Sequence, residues 1–378
     1  MKFKAFLAAT ILIGFAAFQV EVKADNVNKE FDKSAISPIF TYYADMAGNM
    51  RGGLSASGGY LGYGYTGIAV NTDRAGWWRG GKLTLTLGST HGVKPSEMWL
   101  GDFQVADYIE GGTHIFLQDF NLQQQLGSLQ LTIGMQDLCA NYAVCEPAGL
   151  FFNSTFGIHS VASMNMDVPI FPIFGLGVNL RYDISEQLYV EGALYDTPIG
   201  FDQNPYNLNI DLSPQDGYIA AAEVGFMPHW SGLGNGGYTV GALYETSQKI
   251  ANLYVNCWQE VWHGNNGLVI TPFVMGSIAL SEDLQHDIDL AGGINLKGLF
   301  SSKGILGIAV TTSHFLLTPD TELTREYETA LELTYQYSIG NHLSIQPDVQ
   351  YILHPSGTGR TLPNALFVAI RAKVDISD

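Results

Sequence analysis

A chain of 378 residues with 36 acidic against 18 basic side chains, a formal charge of −18, is not built to hold nucleic acid, whose phosphates require the opposite sign. Charged residues make up only 14% of it, aromatics 12%, and 43 residues are glycine. That is unlike the charged surface of a soluble globule and suits a protein whose exterior partly meets lipid.

Residues 1–24 read as a secretory signal. Lys2 and Lys4 precede an apolar core from Ala5 to Phe18, and Val22-Lys23-Ala24 supplies the residues a signal peptidase reads. The apolar core is too short to cross a bilayer as a helix, and nothing downstream offers the roughly twenty uninterrupted apolar residues that a spanning helix needs. Cleavage leaves a mature chain from Asp25 with a net charge of about −20. The mature chain divides into a short segment over 25–36 and one domain over 37–378.

From Ser37 onward the dominant signal is period-two alternation. Leu129, Leu131, Ile133 and Met135 alternate with Gln130, Thr132, Gly134 and Gln136, and Val178, Leu180, Tyr182 and Ile184 alternate with Asn179, Arg181 and Asp183. Segments of roughly nine to eleven residues, the length of a tilted membrane-crossing strand, begin near Ser37, Gly59, Gly81, Thr113, Ser128, Gly175, Gln187, Asp216, Gly236, Ala251, Leu268, Asp287, Ile305, Glu328, His342 and Ala365. Their number is even, as a closed antiparallel barrel with both ends on one side requires. The fold class expected is therefore all-β: a closed antiparallel transmembrane β-barrel of about sixteen strands.

The connections sort by length. Strands four and five join at Leu126-Gly127, six and seven around Glu186, and fourteen and fifteen around Asn341, whereas the odd-to-even links are mostly long. Barrels of bacterial outer membranes have short periplasmic turns and longer external loops; a soluble sandwich has no reason to sort its loops. Register makes the same distinction. A turn centred on Glu186 sets Arg181 opposite Glu191, and one centred on Asn341 sets Glu332 opposite Gln350 and Thr334 opposite Asp348. The inner face is then amide and carboxylate, as in a wet lumen.

The segment Gly62 to Gly67, GYGYTG, satisfies the dinucleotide pattern G-x-G-x-x-G but lies within an alternating strand and is read as structural. Nine histidines show no metal-ligand spacing and no G-x-S-x-G elbow occurs, so no metal, cofactor or catalytic step is implied. Cys139 and Cys145 are close enough in sequence for a disulfide that would leave Cys257 over; three free thiols fit equally well. Tyr42, Tyr43, Trp77, Trp78, Trp230, Trp258 and Trp262 are read as interface-girdle aromatics.

The longest interruption of the β-pattern runs from Cys139 to Phe174 and is the third external loop. It is expected to fold into the lumen as a constriction, carrying Phe151, Phe152, Asn153, Phe156 and His159. The three phenylalanines either anchor it to the wall or stack on a sugar, with anchoring favoured because apolar rings in a wet pore are better buried.

Residues 96–157 resemble OprB-type carbohydrate-selective porins. Gly101-Asp102-Phe103-Gln104 stands as GDxQ, the fifth strand carries Ile133-Gly134, and Leu150 to Gly157 stands as LFxNSxFG. Glu328, Pro347 to Tyr351, Pro355 and the strand from Ala365 to Arg371 supply the closing pattern. Gln118-Asp119 stands where the family carries an acidic-Gln pair, the arginine-rich stretch before strand thirteen is reduced to Ser302-Lys303, and the chain lacks a terminal aromatic. The resemblance implies a bacterial outer-membrane porin that passes mono- or short oligosaccharides by facilitated diffusion.

On this reading the inward Arg181, Glu191, Glu332, Asp348, Gln350 and Arg371, with Gln118 and Asp119, are pore-lining candidates, because a channel that strips water from a sugar must offer both donors and acceptors. The same residues serve equally as solvated wall positions that fix register. The expected partners are carbohydrate and outer-membrane lipid, with a solitary barrel and a homotrimer both open. The alternatives are a general or cation-preferring pore, a secreted β-rich carbohydrate-binding protein, and a barrel enzyme with Ser and His on its outer wall.

Overall fold

The computed structural model describes residues 34–209, 217–264, 267–281, 284, 286–317 and 322–376. The signal at 1–24 and most of the segment after it lie outside the described residues. Sixteen main strands are present: β1 Ile36–Asn49, β2 Ser57–Asn71, β3 Gly81–Gly92, β4 His114–Leu126, β5 Leu129–Gln136, β6 Gly175–Asp183, β7 Leu188–Asp196, β8 Tyr218–Phe226, β9 Gly234–Glu245, β10 Ile250–Gln259, β11 Val269–Ala279, β12 His286–Lys297, β13 Gly304–Phe315, β14 Tyr327–Ile339, β15 Leu343–Leu353 and β16 Ala365–Asp375. Each start falls within two residues of the position read from the alternation. Two-residue ribbons, His229–Trp230 and Trp262–His263, extend the pairing at the β8–β9 and β10–β11 turns.

Every strand pairs antiparallel with its chain neighbour, and β16 returns to β1 with Asp375 opposite Thr41 and Phe367 opposite Asn49. The sheet has no free edge. Arg181 stands opposite Glu191, Tyr182 opposite Val190, Thr334 opposite Asp348 and Glu332 opposite Gln350, as the turn-centred register requires.

The two faces of the wall differ as lipid and lumen demand. On β14, Leu331 and Leu333 are 46% and 48% exposed, while Ala330, Glu332 and Thr334 between and beside them are buried. Exposed leucine in alternation with buried carboxylate is inverted for a water-soluble sheet and correct for a barrel in hydrocarbon. No helix of the described residues is long and apolar enough to cross a membrane.

The GYGYTG segment lies within β2. A Cβ on Gly64 would sit 2.6 Å from the Tyr42 ring, so glycine there lets the ring lie across the outer wall. Trp77, Trp78, Trp230 and Trp262 are exposed at the short-turn end. Tyr43 and Trp258 depart from the girdle reading. Strict alternation puts Tyr43 on the inner face with Asp45, and Trp258 packs against the buried cluster of Cys145, Phe151 and Phe273.

Candidate functional site

Loop 3, residues 137–174, runs inside the barrel. Its chain is organised by short helical turns, Leu138–Ala140, Glu146–Leu150, Ser154–Phe156 and α1 Ser160–Asn165. Asp137 caps the first by accepting from the Cys139 amide at 2.8 Å, and Asn153 caps the third by accepting from the Thr155 amide at 3.1 Å. Its backbone groups are then satisfied by the wall, as a buried loop requires. The Ala143 amide donates to Glu223 on β8, and the amides of Phe152 and Asn153 donate to the two oxygens of Glu332 on β14 at 2.5 and 3.1 Å. Asn295 of β12 donates to the Pro147 carbonyl and Gln346 of β15 to that of Leu150, both at 2.7 Å. Phe151 and Phe156 pack on Phe273 of β11. All these partners are inner-face residues, so the hydrogen bonds of the loop tie it to the lumen side of β8 to β15, while Tyr142 packs on Tyr195 of β7, Phe152 on Arg371 of β16 and Phe171 on Tyr63 of β2.

Loop 2, residues 93–113, is also inside, which the sequence reading missed. Glu328 accepts from the amides of Phe103 and Gln104 at 2.9 Å and from that of Ser356 at 2.6 Å, tying two external loops to β14. Arg371 on β16 clamps Asp45 of β1 through two nitrogens and reaches Asp107 of loop 2 at 2.9 Å. Its guanidinium lies 3.9 Å from the Phe152 ring centre and 4.3 Å from that of Tyr108, so one side chain joins β1, β16, loop 2 and loop 3. The signal was present in the buried Leu100, Ala106 and Ile109, apolar residues with no business in a solvated loop.

The sequence-derived candidates therefore separate into two groups. Glu332, Asp348, Gln350 and Arg371 are buried beneath loops 2 and 3. Gln350 donates to the Ala106 carbonyl at 2.7 Å and to Asp348 at 3.2 Å. The second group lies on β4, β6 and β7, away from the hydrogen bonds that tie loop 3 to the wall. Gln118 accepts from the Tyr63 hydroxyl at 2.7 Å and Asp119 from Thr86 at 2.6 Å. Arg181 bonds Asp183 at 3.0 Å rather than the Glu191 opposite it, and lies 3.6 Å above the Tyr189 ring. Glu191 is buried, facing Glu223 across the β7–β8 register. Arg181, Asp183 and Tyr189 line a cavity of about 510 Å³ at the short-turn end of the wall.

Of the loop residues, Phe151, Phe152, Asn153, Phe156 and His159 are all buried. His159 Nε2 lies 3.0 Å from Asn256 Oδ1, and burial holds its pKa below the usual histidine value. Burial, with Asp119 nearby, pushes Asp137 up to about 7. The Cys139–Cys145 bridge is corrected: all three cysteines are free thiols, because Cys139 packs with Leu138 and Tyr195 while Cys145 packs with Phe151 and Phe273 in a separate cluster.

Ser160, His286 and Asp289 also meet inside the lumen. Ser160 and Asp289 both approach Nε2 of His286, each at 3.2 Å, and Nδ1 is held by the His314 carbonyl. A relay needs the acid and the nucleophile on opposite ring nitrogens. This trio instead pins α1 to β12.

Residues 56–267 and 290–376 match the family model described as carbohydrate-selective porin, OprB family. The chain belongs to this family. It is an outer-membrane porin, a channel for the diffusion of carbohydrate. The high-pH structure of Pseudomonas putida OprB superposes with a TM-score of 0.80 at 17% identity, covering 92% of this chain and 96% of that one. Its low-pH structure gives 0.62 at 18% identity, covering 92% and 94%. A triple mutant of Rhodopseudomonas blastica porin gives 0.52 at 10% identity, covering 90% and 99%. At such identities these likenesses speak for the fold alone. No curated protein sequence matches the chain.

Proposed function

We propose that carbohydrate crosses by facilitated diffusion along the part of the lumen between loop 3 and the inner faces of β3 to β6, with no cofactor, catalytic step or energy coupling. The observation that carries this reading is the asymmetry of loop 3, whose hydrogen bonds to the wall fall on β8 to β15, while at its ends Tyr142 packs on Tyr195 of β7 and Phe171 on Tyr63 of β2. On the uncovered wall Gln118, Asp119, Asn121, Gln123, Gln130, Thr132 and Arg181 offer donors and acceptors that replace the hydration of a sugar hydroxyl. Many weak contacts suit throughput, because a tightly bound solute does not leave. Glu332, Asp348, Gln350 and Arg371 act here as scaffold for the constriction rather than as the filter.

The mature protein on this reading lacks residues 1–24 and works as a monomer or a homotrimer, with outer-membrane lipid around it and no nucleic-acid partner. Swelling of liposomes that carry the purified porin tests the selectivity. Sugars should enter faster than neutral polyols of matched size, and equal rates would leave only a pore. The acid excess of the chain favours a second reading, a cation-preferring channel. Under that reading a salt gradient gives a strong cation reversal potential and sugars do not block the current.

A further inference from the structure

Two carboxylates face each other beneath the start of loop 3. Glu191 of β7 and Glu223 of β8 stand directly opposite in register on the lumen side, and both are buried. Like charges so placed repel, and burial removes the water that would screen them. Arg181, opposite Glu191 across the β6–β7 register, is a cation that acts on both, but its Nε is bonded to Asp183. Three carboxylates therefore share one guanidinium.

Hydrogen bonding separates the two acids. Glu223 Oε1 accepts from the Tyr189 hydroxyl at 2.7 Å, and Oε2 accepts from the Tyr254 hydroxyl at 2.7 Å and the Ala143 amide at 3.2 Å. Three donors pointing at one group suit a carboxylate, which only accepts. Glu191 Oε1 is enclosed as well, yet among the described residues it has no hydrogen-bond partner. The Tyr142 hydroxyl on loop 3 is also fully buried and without a partner, its ring fixed edge-on against Tyr195. Glu191 and Glu223 both act electrostatically on Tyr142, which places that hydroxyl beside the pair.

A water molecule would satisfy the hydroxyl and leave the negative charge uncompensated, whereas a cation answers both. We propose that Glu191, Glu223 and the Tyr142 hydroxyl hold a calcium ion, with water completing its shell, and that the ion fastens the start of loop 3 to β7 and β8. The ligands are all oxygen, two of them anionic, as a hard cation requires. Calcium suits a set drawn irregularly from two strands and a loop better than magnesium, which demands near-ideal octahedral geometry. Tyr189, which bonds Glu223, also lines the cavity of about 510 Å³ at the short-turn end, so the ion has a wet approach from that side. The site does not depend on which solute the channel passes.

The test is tyrosine-sensitised terbium(III) luminescence of the purified porin, stripped with chelator in an uncharged detergent and then titrated with terbium and calcium. The native protein should show a saturable component that calcium displaces and magnesium displaces more weakly. Glu191→Gln should raise the half-saturating concentration by ~10-fold or more, and Tyr142→Phe by a smaller factor. Calcium should also raise the temperature at which the native barrel loses its compact gel mobility and leave that temperature unchanged in Glu191→Gln. The compact mobility itself shows that each variant is a closed barrel. A native titration without a saturable component, or one identical in the native protein and both variants, overturns the site and leaves a proton to neutralise the pair.

Discussion

Arg371 shows how far a single inward charge can organise this channel. Its two salt bridges lie in a fully covered site, so removing the cation leaves Asp45 and Asp107 buried and unpaired. Breaking a buried pair in this way typically costs about 3–5 kcal/mol. Arg371→Ala should therefore lower the temperature at which the barrel loses its compact gel mobility and should free loop 2. Arg371→Lys should fall between, because a point charge replaces neither the fork on Asp45 nor the flat contact with Phe152. The face of Arg371 was legible from alternation; its partners were not, since Asp107 lies 264 residues away in the chain and nothing local announces it. Asp137 carries a second residue-level expectation. Burial raises its pKa to about 7, so it is neutral below that pH and anionic above it. The added negative charge beside Asp119 should make the channel more cation-preferring as pH rises from 6 to 8. A reversal-potential series across that range should show the shift in the native protein and a flat response in Asp137→Asn.

Strands and loops obeyed different rules of legibility. The strands follow from period two, which lipid on one face and polar groups on the other impose on every segment, and their starts were readable to within two residues. Loop 3 was readable as an insertion with anchoring phenylalanines, but its path depends on the wall it meets. Gly307 of β13 is one such determinant: a Cβ there would lie 2.8 Å from both Leu150 and Phe151. Gly307→Val should push the Leu150–Phe151 turn off the wall without harming the strand, since valine is a favourable strand residue. Glu332→Ala should loosen the same segment by removing the acceptor for two buried amides, at a cost of about 1–3 kcal/mol per unsatisfied group. Both variants should change single-channel conductance and weaken sugar discrimination, while deletion of residues 150–157 should enlarge conductance further. Native conductance in all three would mean that loop 3 does not set the constriction.

At the scale of the whole molecule the wall has a direction that length alone assigns. Gly127-Ser128 and Gly340-Asn341-His342 close adjacent strands at one end, while residues 93–113, 137–174 and 354–364 all cross at the other, where loops 2 and 3 turn inward and the last loop meets loop 2 through Gly357 and shares Glu328 with it through Ser356. Outer-membrane barrels put short turns on the periplasmic side because the chain enters the membrane from there. The prediction concerns topology rather than any one contact. An epitope inserted after Gly340, in an exposed turn with positive φ, should be tolerated and should stay hidden from antibody on intact cells until the outer membrane is permeabilised. One inserted after Gly359, exposed in the loop between β15 and β16, should be labelled on intact cells. Both proteins should retain the heat-dependent gel shift of a closed barrel. Labelling at Gly340 on intact cells, with Gly359 protected, would invert the barrel in the membrane and make the loop 3 constriction face the periplasm.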